Sequence, residues 1–159
     1  MNRNPHSTAA IAGHPLHSIL VTLPIGFLIG AFLSDLAFFW SADALWPRAS
    51  LWLIGAGLTA GVIAAVAGLI DFLGCREIRQ LGEAWLHLAG NAVVLLLALT
   101  NFYIRYYETS ASISSLQLIL SFCIVLLLAV TGWLGGELVF RHRVAVLDQD
   151  GPPDEQFRA

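Results

Sequence analysis

Apolar and polar positions do not alternate along most of this chain. Apolar residues instead run together in four stretches, over residues 18–40, 51–73, 84–104 and 116–140. Each has the roughly 20 residues that a helix needs to cross the hydrocarbon core of a bilayer. The pattern predicts an all-α fold, a four-helix transmembrane bundle over residues 14–147. An N-terminal tail, 1–13, precedes it, and an acidic tail, 148–159, follows, where Pro152 and Pro153 favour disorder. The joining segments 41–50, 74–83 and 105–115 are short, so successive helices should be antiparallel neighbours in an up-down topology. Pro24 removes one backbone donor and crowds the carbonyl of Leu20, which predicts a kinked first helix. That first stretch is too long for a signal peptide, lacks a basic run before it and carries Asp35 near its end, so it reads as a retained anchor.

Composition agrees with the pattern. Of 159 residues, 57% are hydrophobic and 12% charged, against about 25% charged in a typical soluble domain. Too few polar side chains remain to cover a soluble surface, and the environment implied is a lipid bilayer. A net charge of −3 gives no reason to expect a nucleic-acid partner. Four spans place Arg3, Arg76, Arg79, Arg141, Arg143 and Arg158 on the side of both termini, and only Arg48 and Arg105 on the other. The positive-inside rule then puts both termini in the cytoplasm, and a cell inner membrane is the expected location. Trp40, Trp46, Trp52, Tyr103, Tyr106 and Tyr107 suit an interfacial belt at the opposite rim. Glycines recur at four-residue spacing at Gly26 and Gly30, Gly57 and Gly61, and Gly132 and Gly136, a pattern that lets helices approach closely, within one chain or in a homo-oligomer. Cys75 falls just past a helix end, where it could be exposed, and Cys123 inside an apolar run; neither forms a CxxC or CxxCH pattern.

The predicted topology gathers residues that are far apart in sequence. His14 and His17 open the first helix, Asp71 ends the second, His87 lies in the first turn of the third, and Glu137, Arg141 and His142 end the fourth. All fall within a turn or two of one membrane boundary. Pro15 suits a first helical position, with His14 before it, so His14 and His17 would share a face. Asn91 lies one turn deeper than His87, and Glu137 has the spacing to pair with Arg141. Ionisable groups at such depth are costly unless paired or facing an interior or aqueous cavity. Asp35, near the opposite end, reads as a helix-terminal polar residue, and His6 is given no role.

The run His14-Pro15-Leu16-His17, followed by Leu23-Pro24-Ile25-Gly26, resembles the opening of the bacterial membrane proteins grouped as domain-of-unknown-function family 2231. Gly68-Leu69-Ile70-Asp71, the His87–Asn91 pair and Gly132-Trp133-Leu134-Gly135-Gly136 leading to Arg141-His142 extend the likeness across all four helices. Arg143 and Ala145 depart from the small residues common there. The resemblance implies a four-helix membrane fold and no activity; members resemble partners of electron-transfer proteins, which makes a redox-protein partner an expectation.

Three functions remain open. The first is a haem b subunit with His17 and His87 as iron ligands, Arg76, Arg79 or Arg141 on the propionates, and Gly90 leaving room for the ring. Against it stands the closeness of both histidines to the membrane boundary. The second is a divalent transition-metal site drawn from His14, His17, Asp71, His87, Glu137 and His142. The third is a non-catalytic scaffold whose polar layer is structural. A transporter fits least, with four spans and no acid at mid-membrane. No nucleophile with its base and no phosphate loop is visible, so no enzyme class is assigned.

Overall fold

The computed structural model describes residues 4–108 and 112–146. The predicted C-terminal tail, and Arg3 and Arg158, lie outside these residues. Of the described residues, 79% are helical. A short antiparallel hairpin comes first, β1 (Ala10–Ile11) and β2 (His14–Pro15). The helices α1 (Leu16–Leu20), α2 (Thr22–Ser41), α3 (Leu45–Gly74), α4 (Arg76–Arg79), α5 (Gly82–Tyr107) and α6 (Ser115–Phe140) follow. Four spans, Leu16–Ser41, Leu45–Gly74, Gly82–Tyr107 and Ser115–Phe140, are long and apolar enough to cross a membrane. The protein is thus a four-helix, up-down membrane fold.

The first span bends by 24°. The bend falls where Pro24 denies Leu20 its helical partner. Val21 and Ile25 keep their bonds to His17 O and Val21 O at 3.0 and 3.3 Å, so the chain continues in nearly the same direction.

Helix ends differ from the sequence expectation at several points. α3 starts six residues earlier than the apolar run, because Pro47 sits in its first turn, where no N–H is needed, and the Asp43 carboxylate accepts from Leu45 N at 2.8 Å. α5 runs on to Tyr107, so Arg105 belongs to a helix and not to a loop. α6 opens with a capping box, in which Ser114 Oγ accepts from Gln117 N and the Gln117 side chain accepts from Ser114 N.

Around the bundle α2 packs on α3, α3 on α5, α5 on α6 and α6 back on α2. α2 and α5 therefore stand diagonally opposite, as do α3 and α6. All four supply the interior: Leu28 and Ala31, Ile54, Val94 and Ala98, Ile124 and Leu128. The outward faces carry large apolar side chains, Trp40, Trp52, Trp133 and Phe140 among them. In lipid those faces have no drive to pack, so close contact between small residues holds the helices together. Gly57 and Gly61 do this on α3: an added Cβ would lie 2.9 Å from Leu28 Cγ and 2.8 Å from Leu95 Cδ2.

The N-terminal segment is ordered against the bundle and is not a free tail. Asp71 Oδ1, near the end of α3, accepts from Ala9 N at 2.7 Å, Ser7 Oγ at 2.8 Å and Thr8 Oγ1 at 3.3 Å. Thr8 packs over Gly74, where a Cβ would come within 2.5 Å of its hydroxyl. Pro5 O accepts from Ala145 N at 2.8 Å, which ties this strap to the residues after α6.

Candidate functional site

The structure brings His17 and His87 together across the bundle, with ring centroids 5.9 Å apart and planes at 83°. His17 projects from α1, and its Nδ1 lies 2.8 Å from Ala64 O on α3. His87 projects from α5, and its Nδ1 lies 2.9 Å from Thr131 O on α6. A carbonyl only accepts, so each Nδ1 carries the hydrogen and donates it. In the neutral form of each ring the lone pair is then on Nε2, the nitrogen left for a ligand. Glycines seat both rings: a Cβ at Gly68 would come 2.6 Å from His17 Nδ1, and one at Gly135 would come 3.2 Å from His87 Cε1. Gly90, expected to make room for a cofactor, instead admits Thr131 of α6, whose Cγ2 would lie 2.5 Å from an added Cβ.

The other residues expected at this site are placed elsewhere. His14 is exposed in β2 with Nδ1 2.9 Å from Ala12 O; the helix begins after Pro15, so His14 and His17 do not share a helical face. Asp71 is taken up by the strap. Asn91 donates to the backbone of its own helix, at His87 O. Glu137 pairs with Arg141 at 3.3 Å on the exposed rim. His142 Nε2 faces Glu83 at 3.6 Å without a hydrogen bond. Arg79 caps α3 by donating to Phe72 O and Leu73 O, and Arg76 is exposed. Among the described residues no three of His, Cys, Asp or Glu gather closely enough to hold a metal ion.

Cys75, expected near the surface, is buried at 1% exposure between α3 and α4. Its Sγ donates to Glu77 Oε2 at 3.1 Å. Burial pushes the thiol above its ordinary pKa, and the hydrogen bond from it holds the Glu77 carboxyl below the usual carboxylate range.

A second polar centre lies toward the opposite end, where none was expected. Asp35 on α2 and Arg105 on α5 form a bidentate ion pair, Nη1 to Oδ1 at 3.0 Å and Nη2 to Oδ2 at 2.7 Å. Their side chains are 0% and 4% exposed. Further hydrogen bonds surround the pair: Ser50 Oγ donates to Asp35 Oδ1 at 2.6 Å, Arg105 Nε donates to Asn101 Oδ1 at 2.9 Å, Arg105 Nη2 donates to Ser121 Oγ at 3.3 Å, and Asn101 Nδ2 donates to Ser121 Oγ at 2.9 Å. All four spans contribute, which is how buried charge is tolerated in a membrane. Sequence reasoning missed it by ending the third helix at residue 104. The usable signal was Asn101 four residues before Arg105, on one helical stripe, beside the lone acid of the first span.

The expectation that ionisable groups collect at one membrane face is therefore corrected: two centres exist, one toward each end. No curated protein and no solved structure matches the chain. A family model described as a predicted membrane protein, DUF2231, matches residues 13–148, which include both histidines and the ion pair. The chain belongs to this family of membrane proteins of unknown function.

Proposed function

We propose that the His17–His87 pair is a two-imidazole ligand site for a transition-metal centre, haem b iron first, and that the chain is a redox subunit of a bacterial inner membrane. The observation that carries this is the pairing itself: two rings from facing helices, each with Nδ1 held by a carbonyl and Nε2 left over. The donor set fits iron in a macrocycle. The two rings stand 5.9 Å apart, close enough that one metal centre could be held by both. A macrocycle would supply the remaining donors, so two protein ligands would suffice. A bare divalent ion is served less well, because the acids lie elsewhere. Bound iron would supply one-electron chemistry; the residues' own part is to fix the rings and their tautomers. Arg105 is consumed by Asp35 and leaves the orientation count, which supports the reading that both termini are cytoplasmic.

A second reading rests on the same two bonds. Each histidine ties its helix to the backbone of the next, α1 to α3 and α5 to α6, which is what a structural layer in a non-catalytic scaffold would do. One purified sample separates the readings. An absorption spectrum in mild detergent should show a reducible Soret band that His17→Ala and His87→Ala remove. Stoichiometric metal without that band points to a non-haem centre. A colourless, metal-free protein whose histidine variants fold normally leaves the scaffold.

A further inference from the structure

The buried positions of the two helical hairpins repeat. Pro24, Leu28, Ala31 and Asp35 of α2 correspond to Val94, Ala98, Asn101 and Arg105 of α5, each 70 positions later. Ser50, Ile54, Gly57, Gly61 and Ala64 of α3 correspond to Gln117, Ser121, Ile124, Leu128 and Thr131 of α6, each 67 positions later. The difference in offset is absorbed in the connections. Ser34, Ala67, Phe72 and Ala84 are the buried helix residues of these four spans without a buried counterpart. Packing repeats as well: exchanging α2 with α5 and α3 with α6 turns every neighbour contact of the bundle into another one.

The histidine site obeys the same rule. His87 stands 70 positions after His17, and their carbonyl partners Ala64 and Thr131 are equivalent positions. The seating glycines, Gly68 and Gly135, each follow that carbonyl by four residues. Each half thus contributes one imidazole, one carbonyl and one glycine.

At the two centres equivalent positions are used in opposite ways. Asp35 and Arg105 carry opposite charges and satisfy each other. His17 and His87 are the same residue, each with Nδ1 held by a carbonyl, and two imidazoles whose Nε2 atoms both carry lone pairs would not satisfy each other. No described residue bonds either Nε2. A pair of like donors is completed by a third party that accepts electron density from both.

We infer that the chain is two copies of one two-helix unit about a pseudo-twofold axis along the bundle, and that the His17–His87 ligand is a Lewis-acidic centre on that axis, shared equally by both imidazoles. Parallel repeats in membrane proteins are related by an axis of this kind, along the membrane normal. The ligand half of the inference rests on the metal-centre reading above. It adds that neither histidine is primary and that a ligand held by one ring alone is excluded.

The test uses the full-length protein in detergent, supplied with haemin, and with Cu(II) in a separate sample. Coordination is read by absorption and electron paramagnetic resonance, and fold by thermal melting. The parent should give a six-coordinate low-spin centre with two nitrogen axial ligands. His17→Ala and His87→Ala should weaken it to a similar extent, each should lose the low-spin signature, and added imidazole should restore it in both. Asp35→Asn should melt lower yet keep the low-spin signature. A centre that one histidine variant loses and the other keeps unchanged overturns equal sharing and leaves the metal-centre reading standing. A parent that takes up neither haem nor metal overturns both. If an alanine variant does not fold, His17→Gln and His87→Gln replace it under the same criteria.

Discussion

Cys75 shows how far one residue's surroundings can reverse a sequence expectation. Its thiol is buried and donates to Glu77, so it stays protonated to higher pH than an exposed thiol. Alkylation by a maleimide at neutral pH should therefore be slow in the folded protein. It should accelerate as pH rises past the ordinary thiol range and match a free thiol on unfolding. The sign for stability follows: burial favours the neutral form, so the contribution is intact at low pH and is lost as the thiol ionises. Rapid labelling of Cys75 at neutral pH in the native state would contradict the burial. Single residues were legible where chemistry alone marks them. His17 and His87 stood out as imidazoles at matched depth, and the structure pairs them. Asp71 was placed at the right level but given the wrong company, because its partners are a backbone N–H and two small hydroxyls in a segment that has no hydrophobic pattern. Arg105 was hidden by a helix boundary misplaced by three residues: an Arg at the edge of an apolar run looks like loop in sequence, whereas a bidentate carboxylate lets it stay inside.

At the scale of elements, the four long helices were legible because lipid demands an unbroken apolar run, and the Pro24 bend because proline removes a specific bond. The hairpin and its strap were not, since two-residue strands carry no periodicity. The strap depends on one carboxylate. Asp71→Ala removes the acceptor of three hydrogen bonds, and through Ala9, whose carbonyl accepts from Leu16 N at 2.9 Å, it loosens the start of α1. Leaving such donors unpaired costs about 1–3 kcal/mol each where they stay buried. Hydrogen exchange across residues 7–16 should rise strongly in this variant while α5 and α6 remain protected. Unchanged exchange there would mean that Thr8 packing over Gly74 and the Pro5–Ala145 bond hold the strap without Asp71.

At the scale of the molecule, the ion pair does more than join two helices. Like halves pairing between chains would put Asp35 against Asp35, or Arg105 against Arg105, in a buried site. Only unlike halves pair well. Asp35→Arg alone, or Arg105→Asp alone, should destabilise the fold by about 3–5 kcal/mol, the scale for a buried charge left without its partner. The exchanged double variant, Asp35→Arg with Arg105→Asp, should recover much of that loss, read as melting temperature in detergent. Equal melting of single and double variants would show that the surrounding hydroxyls and amides carry the layer without the charges. The strap has its own consequence at this scale. Asn4 Nδ2 donates to Val146 O at 3.2 Å beside the Pro5–Ala145 bond, so the described chain begins and ends in one place. Its path is nearly a closed circuit, and cutting it between the halves while joining its ends would give a circular permutant with every helix contact kept. Which half is synthesised first is thus incidental to the helix packing; at the ion pair the halves differ in the charge each brings.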